Sequence, residues 1–517
     1  MTIPNRYPVL YPIDRISLGL MTLFSVVIGL LILGGSFCTG DRCLFHTGPR
    51  VNQFTWENRV IDYRDQAFIL GFNRPMDQSS VEENIKITIP DQPDVQNPLP
   101  GKTSWAGRRM AYTLDFPAPY GTRYRFELEN AHERFTNQQE QGAAIQPYQT
   151  EFRTPDRAFA YIGLEGAERG RLVVFDFTSQ ERRIITPEQL VVTEFRIDRD
   201  RAQIVFSAVE RNSTGEGILD QQIYRVNTGL TREKSGFQTG KDIGKIELIL
   251  DNEGYNNLKF DLSEDGELLV VQRVNKQDPA DFGLWVIQDG QRPKPLKNEP
   301  GGVFMIAPDN ETIASTQGEG IAILSLEPAA QPLDFLAQFG MVLGFSPDGR
   351  SAAMVDFNKN NPDLLYTRSL YLVNNQGVQE KIFDTQGSIL DCQFQAKGEQ
   401  MFCLMTNLVE DTEYIEQPYI AMVDVGEKKV APLITLPKYQ DINISLAPDG
   451  LGLLFDQIRT DPTNEQESFL KTSSGEALLD GEIWLLIPPR SLPEQGQRTS
   501  PQLEELPFVG FQPQWFP

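Results

Sequence analysis

The chain has 517 residues, 40% hydrophobic and 23% charged, a globular composition on a length too great for one ordinary core. Its formal net charge is −24 and no Lys/Arg-rich run interrupts the acidic excess. Such a surface repels phosphate backbones, so nucleic acid is not an expected partner, and the charge reads as what keeps a large exposed domain soluble.

Residues 1–15 form a short N-terminal tail. Ile16 to Phe37 then runs 22 residues without a charge. At about 1.5 Å per residue, a helix of that length crosses a hydrocarbon core of roughly 30 Å, so a transmembrane helix is expected over 16–37. A cleaved signal peptide would carry a shorter apolar core, although Gly34 and Ser36 could supply its cleavage site. Bulky Phe37 before Cys38 argues against a lipoprotein. Arg6 and Arg15 before the run balance Arg42 and Arg50 after it, so the positive-inside count sets no orientation. Residues 38–52 read as a linker, in which Cys38 and Cys43 could close a small ring.

From 53 to 155 the pattern is short alternating strands with frequent turns, which predicts a β-sandwich of about 100 residues. Tyr112, Tyr124, Phe126 and Phe152 sit at strand-compatible spacing. "LGFNRPMDQSSV", Trp105, "GTRYRFEL" and "EFRTPD" together resemble the bacterial S-layer-type Ig-like domain, with Phe72, Pro75, Met76, Asp77, Phe152, Arg153 and Thr154 matching its pattern. The resemblance implies a spacer or adhesive module on an extracytoplasmic protein, with the Pro-Met-Asp stretch a structural turn.

Residues 156–517 are built from a repeat. "FRIDRDRAQIVFSA", "FDLSEDGELLVVQR", "FMIAPDNETIASTQ", "GFSPDGRSAAMVDF", "CQFQAKGEQMFCLM" and "ISLAPDGLGLLFDQ" are each an apolar strand, a polar turn and a second apolar strand. A third strand follows each pair, and often a fourth. Four antiparallel strands per repeat make a propeller blade, which cannot bury its faces alone. Six units begin near 191, 256, 301, 340, 388 and 440. A seventh is expected from 158–186 paired with the closing "LPFVGFQPQWFP", which leaves no open edge; six blades is the alternative. The region resembles the TolB-like and WD40-like (PD40) bacterial propellers, whose turn signature Phe345, Ser346, Pro347, Asp348 and Gly349 match in full. The fold class is thus mainly β: a transmembrane helix, an Ig-like sandwich and a propeller closed by the C-terminal strand.

Chemistry is harder to find. His46 and His132 are the only histidines and no G-x-S-x-G occurs, so a Ser-His-Asp peptidase is not expected. No Cys/His cluster has zinc-ligand spacing, and neither "DRDR" (198–201) nor "SEDGE" (263–267) has the alternating carboxylates of a calcium loop. Both read as solvated hairpin turns. Trp285 and Trp484 at equivalent third-strand positions read as inter-blade packing. Cys392 and Cys403 flank one hairpin turn. A two-residue loop would set them opposite each other and allow a disulfide, whereas a three-residue loop would turn them apart as free buried thiols, the preferred reading. No catalytic, cofactor-binding or metal-ligating residue is assigned, and no cofactor is expected.

The expected function is a membrane-anchored extracytoplasmic binding or scaffold protein that presents its propeller to a protein partner or envelope complex. The alternative is an enzyme or ligand sensor using the propeller channel, for example on a glycan or envelope polymer, with carboxylates or aromatics converging at the inner strands. The resemblances imply a single-pass protein of a cell inner membrane, or of an internal thylakoid-type membrane, with its C-terminal part in the periplasm or lumen.

Overall fold

The computed structural model describes residues 12–36, 48–92, 94–134, 142–211, 220–234, 236–237, 242–288, 291–296, 301–327, 332–364, 366–409, 415–437, 441–461, 470–472, 475–490 and 501–517. Cys38, Cys43 and His46 lie outside them. The chain divides into two compact units. One contains residues 1–57, 67–113 and 124–151. The other contains 58–66, 114–123 and 152–517.

In the first unit a helix runs from Pro12 to Ser36. Its apolar side chains, among them Leu18, Met21, Leu23, Phe24 and Val26, are exposed. Among the described residues no helix is long and apolar enough to cross a membrane, so the expected span is not displayed.

The rest of that unit is two antiparallel sheets. Val51–Phe54, Ala67–Phe72, Arg109–Leu114 and Gly101–Ala106 form one, and Ile85–Thr88, Arg123–Leu128 and Tyr148–Arg153 the other. Their inner faces meet through Phe126, whose ring lies 4.7 Å from that of Phe54 and 5.7 Å from that of Phe68. Alternation along each strand places these aromatics on the buried side. In the Pro-Met-Asp stretch, Met76 is buried and the Asp77 carboxylate caps the helix Gln78–Asn84, accepting from Ser80 N at 2.9 Å. That hydrogen bonding, chiefly from the Ser79 hydroxyl, holds the Asp77 carboxyl below its usual range. The stretch is a cap.

The second unit is a succession of antiparallel sheets consistent with propeller blades. Five have four strands each in chain order, across residues 190–250, 255–295, 304–336, 341–385 and 389–435; they are sheets II to VI. The remaining strands form one seven-stranded sheet. Its middle strand, Gln502–Trp515, pairs with Ala477–Ile487 through its first half and with Ala158–Gly163 through its second. It is therefore the outer strand of sheet VII (444–509) and the inner strand of sheet I (158–184 with 510–515).

Both faces of these sheets are buried, and alternate residues of one strand serve opposite neighbours. Val205 and Ile223 of sheet II pack on Leu269 and Val271 of sheet III, while Val270 faces Ile306 and Ile313 of sheet IV. Further apolar clusters join IV to V, V to VI and VI to VII. Leu454 and Ile483 of VII then meet Phe159 and Val173 of I, and Ile162 and Val174 of I meet Phe195 and Phe206 of II. The stack is a closed cycle, which explains why second strands such as "QIVFSAVE" are apolar without alternation. Trp484 packs in the cluster between VI and VII. Trp285 instead meets Tyr255 and Arg273 of its own sheet.

One expectation is overturned in sheet VI. Cys392 and Cys403 are directly opposed in register and joined as a disulfide, not held as free thiols. The turn between them is neither of the two considered. Gln395 N bonds Gln400 O and Gly398 N bonds Gln395 O, so the loop has four residues, 396–399. An even loop keeps the two side chains on one face. Replacing both cysteines with alanine is expected to lower the unfolding free energy by about 2–3 kcal/mol, as closing a loop of this size implies. Denaturant titration in the presence and absence of reductant checks this: only the parent should respond to reductant.

Candidate functional site

Six hairpin turns between first and second strands share one backbone geometry at one end of the sheets. In each, the N–H of the fourth residue bonds the carbonyl of the first: Arg201 to Asp198, Gly266 to Ser263, Asn310 to Ala307, Gly349 to Ser346, Gly398 to Gln395 and Gly450 to Ala447. That fourth residue is left-handed in all six, with φ of 67° at Gly349 and 73° at Gly450. Around the signature turn, Ser346 Oγ donates to Asp348 Oδ1 at 2.7 Å and accepts from Ser351 N at 3.0 Å. The hydrogen bond from Ser346 holds the Asp348 carboxyl below its usual range. Phe345 packs beside the cluster between sheets IV and V, and Pro347 occupies the first turn position. These five residues make a self-braced turn.

Other turns of the set do more. Segments 58–66 and 114–123, which precede the repeats in sequence, belong to this unit and are held by turn side chains. Asp449 is buried; it accepts from Tyr120 N at 2.8 Å and pairs with Arg157. Lys397 Nζ donates to the carbonyls of Leu114 at 3.1 Å and Asp115 at 2.6 Å. Glu264 pairs with Arg64 at 2.6 Å, and Asp62 with Arg232 of sheet II. A charge-assisted bond from a turn to a loop fixes that loop more firmly than a neutral one.

Arg201 contradicts the solvated reading of "DRDR". It is 1% exposed, takes the left-handed position that glycine holds in four of the other turns, and donates to Asp156 O at 2.6 Å. Its guanidinium lies 5.4 Å from the Phe516 ring centroid. Burial pushes its pKa down to about 10, partly opposed by Tyr120, Asp156 and Asp176. In the same turn, burial pushes Asp198 up to about 6. The available signal was a bulky residue where the repeat calls for Gly or Asn.

On the inner strands, polar side chains tie each sheet to the next. Gln514 Nε2 bonds Phe195 O at 3.0 Å, and Asp261 Oδ2 accepts from Ile306 N at 2.8 Å. Gln393 spans to sheet VII through Ile444 O and Leu446 N, both at 2.7 Å. Arg196 sits between Glu194 at 2.8 Å and Asp261 at 3.3 Å. The carboxylates and amides that converge here are engaged in joining strands. Asp391 is the least engaged, accepting from Gln393 Nε2 at 3.2 Å; burial pushes it up to about 6, opposed by Gln393, the Cys392 N–H and Arg196. Among the described residues, no group of three His, Cys, Asp or Glu side chains is placed to hold a metal ion. In the first unit, His132 meets Ser80 Oγ through Nδ1 at 3.3 Å.

No family model matches the chain. No curated protein matches it. Among solved structures it is similar to TolB from Acinetobacter baumannii, 11% identical with a TM-score of 0.39, over 84% of this chain and 83% of that one. It is also similar to an oligogalacturonate lyase from Vibrio parahaemolyticus, 12% identical with a TM-score of 0.42, over 59% of this chain and 88% of that one.

Two predictions follow from the differing environments of these acids. Asp449 and Asp348 hold the same turn position, but their side chains are 1% and 58% exposed. Asp449→Ala should cost about 2–3 kcal/mol by stranding the Tyr120 N–H and leaving half-buried Arg157 without its carboxylate, and Asp348→Ala about 1 kcal/mol or less. Equal losses in denaturant titrations would contradict the difference. For Asp391 the folded pKa lies above the unfolded 3.8, so its stabilising share is present below 3.8 and lost as pH rises through about 6. Asp391→Asn should therefore remove a fall in stability of up to about 3 kcal/mol across that window, read as Tm against pH.

Proposed function

We propose that this chain is a membrane-tethered, extracytoplasmic scaffold. In this reading a seven-bladed TolB-like propeller, preceded by an S-layer-type Ig-like sandwich, presents one face to a partner protein. The observation that carries the reading is how the charged side chains are used. At the turns Asp449, Lys397, Glu264 and Arg201 grip this chain's own segments, and on the inner strands Arg196, Asp261 and Gln393 bind neighbouring sheets. Such groups build a rigid platform whose opposite end, formed by the loops between second and third strands and the links between sheets, is left to contact others. That end carries exposed Val303, Tyr366, Val409 and Ile415, the last two at the tip of the long hairpin of sheet VI.

The Cys392–Cys403 disulfide supports an oxidising compartment such as a periplasm or lumen. The tether rests on the charge-free run from Ile16 to Phe37 and on apolar side chains exposed all round its helix. Affinity capture with the full chain in mild detergent should recover a protein in near-stoichiometric amount, and the chain should stay with membranes through alkaline carbonate washing. Recovery of no partner, together with turnover of a small molecule by the purified chain, would sink the scaffold reading; release by carbonate would remove the tether.

A further inference from the structure

A cleft of 410 Å³ lies between sheets IV and V at the end away from the hairpin turns. Its size falls within the ~300–1,000 Å³ typical of small-molecule sites. The loop after Ser351–Asp356 forms one wall, and the link after Asp334–Leu336 the other.

That loop is pre-shaped. Asp356 accepts from Asn358 N at 2.7 Å and from Gln338 Nε2 at 2.9 Å, so the two walls are tied together. Asn358 is left-handed at φ 53° and its amide donates to Thr367 O and Ser369 Oγ, each at 2.9 Å. The half-buried Phe357 ring lies against Gly340, where an added Cβ would fall 2.2 Å from a ring carbon. Only glycine lets the aromatic take this position.

Facing that fixed floor are groups with nothing to bind. Lys359, Asn360 and Glu319 are exposed and make no hydrogen bond or ion pair among the described residues, and Asn358 Oδ1 accepts none. Lys359 Nζ lies 6.0 Å from the Phe357 ring centroid. The free set mixes donors with acceptors around an aromatic ring. Glu319 and Asp356 oppose a phosphate-bearing ligand, and Lys359 opposes a bare cation. Hydroxyl groups, which donate and accept at once, match every free group.

We infer that the cleft between sheets IV and V is a binding site for a neutral polyhydroxylated ligand of the saccharide class, with Lys359, Asn360, Asn358 and Glu319 reading hydroxyls. The inference is independent of the scaffold proposal and of the channel, since it uses no inner-strand residue. It is tested on the full chain by calorimetric titration with maltotriose, cellobiose and chitobiose, and with inorganic phosphate as the control anion. At least one sugar should bind while phosphate does not. Asn360→Ala and Lys359→Ala should each weaken that sugar about tenfold with little change in Tm, because both side chains are exposed and make no hydrogen bond or ion pair among the described residues. Gly340→Val, which pushes on the Phe357 ring, should abolish binding. Failure of all three sugars to bind up to about 10 mM, which corresponds to less than about 3 kcal/mol, would overturn the inference. Sugar binding indifferent to Asn360→Ala and Lys359→Ala, or phosphate binding in the cleft, would overturn it equally.

Discussion

The arrangement depends on one strand serving two sheets. Gln502–Trp515 closes the cycle, and its central stretch leaves no room for error. A Cβ on Gly510 would fall 2.7 Å from Ile162 O, and one on Gly481 would fall 2.6 Å from Gly510 O. Two glycines therefore allow three backbones to cross at the point where the strand changes partner. Just beyond it the chain turns at Gln512, φ 50°, whose N–H is accepted at 2.7 Å by the buried carboxylate of Asp456. Asp456 also takes Asn443 N at 2.6 Å, which ties the start of sheet VII to its end. Burial pushes that carboxyl up to about 6, so the knot is held by hydrogen bonds against the cost of desolvation. Without the shared strand, sheets I and VII would each present an unpaired edge.

Closure of the cycle sorts the two ends of the sheets into different roles. The hairpin turns lie at one end and are drawn inward by segments 58–66 and 114–123. Their charged positions serve as clamps, and the strain of a left-handed Arg201 is tolerated because its guanidinium is held by Asp156 O and the Phe516 ring. The loops at the other end carry exposed Tyr366, Val409 and Ile415 and the cleft between sheets IV and V. Charged clamps at several turns, with exposed apolar side chains on the loops opposite, are the physical basis of the platform reading.

The repeat was legible because each turn needs the same left-handed fourth residue, which writes Pro-Asp-Gly or a close variant into four of the six turns. The shared closing strand was legible too, since 158–186 lacks an inner partner and "LPFVGFQPQWFP" supplies one. The disulfide was not, because one residue of loop length reverses the side on which a cysteine points, and composition does not set that length. Arg201 was misread for a related reason: "DRDR" is polar enough for a solvated turn, and its burial comes from contacts with residues 156 and 516, far away in sequence. The gripping of 58–66 and 114–123 by Lys397, Glu264 and Asp449 leaves no periodic trace either. The cleft between sheets IV and V went unseen because its groups come from two loops whose approach depends on Gly340.

The central claim is that partners meet the loop end, several of the turns being engaged by the chain's own segments. Photo-crosslinking in intact cells, from a reactive side chain placed at Tyr366 or at Arg350, tests it most directly. Tyr366 is 69% exposed at the loop end, and the Arg350 side chain is 79% exposed beside the signature turn. The account predicts a discrete protein adduct from position 366 and none from position 350. An adduct from 350 with none from 366 would contradict it.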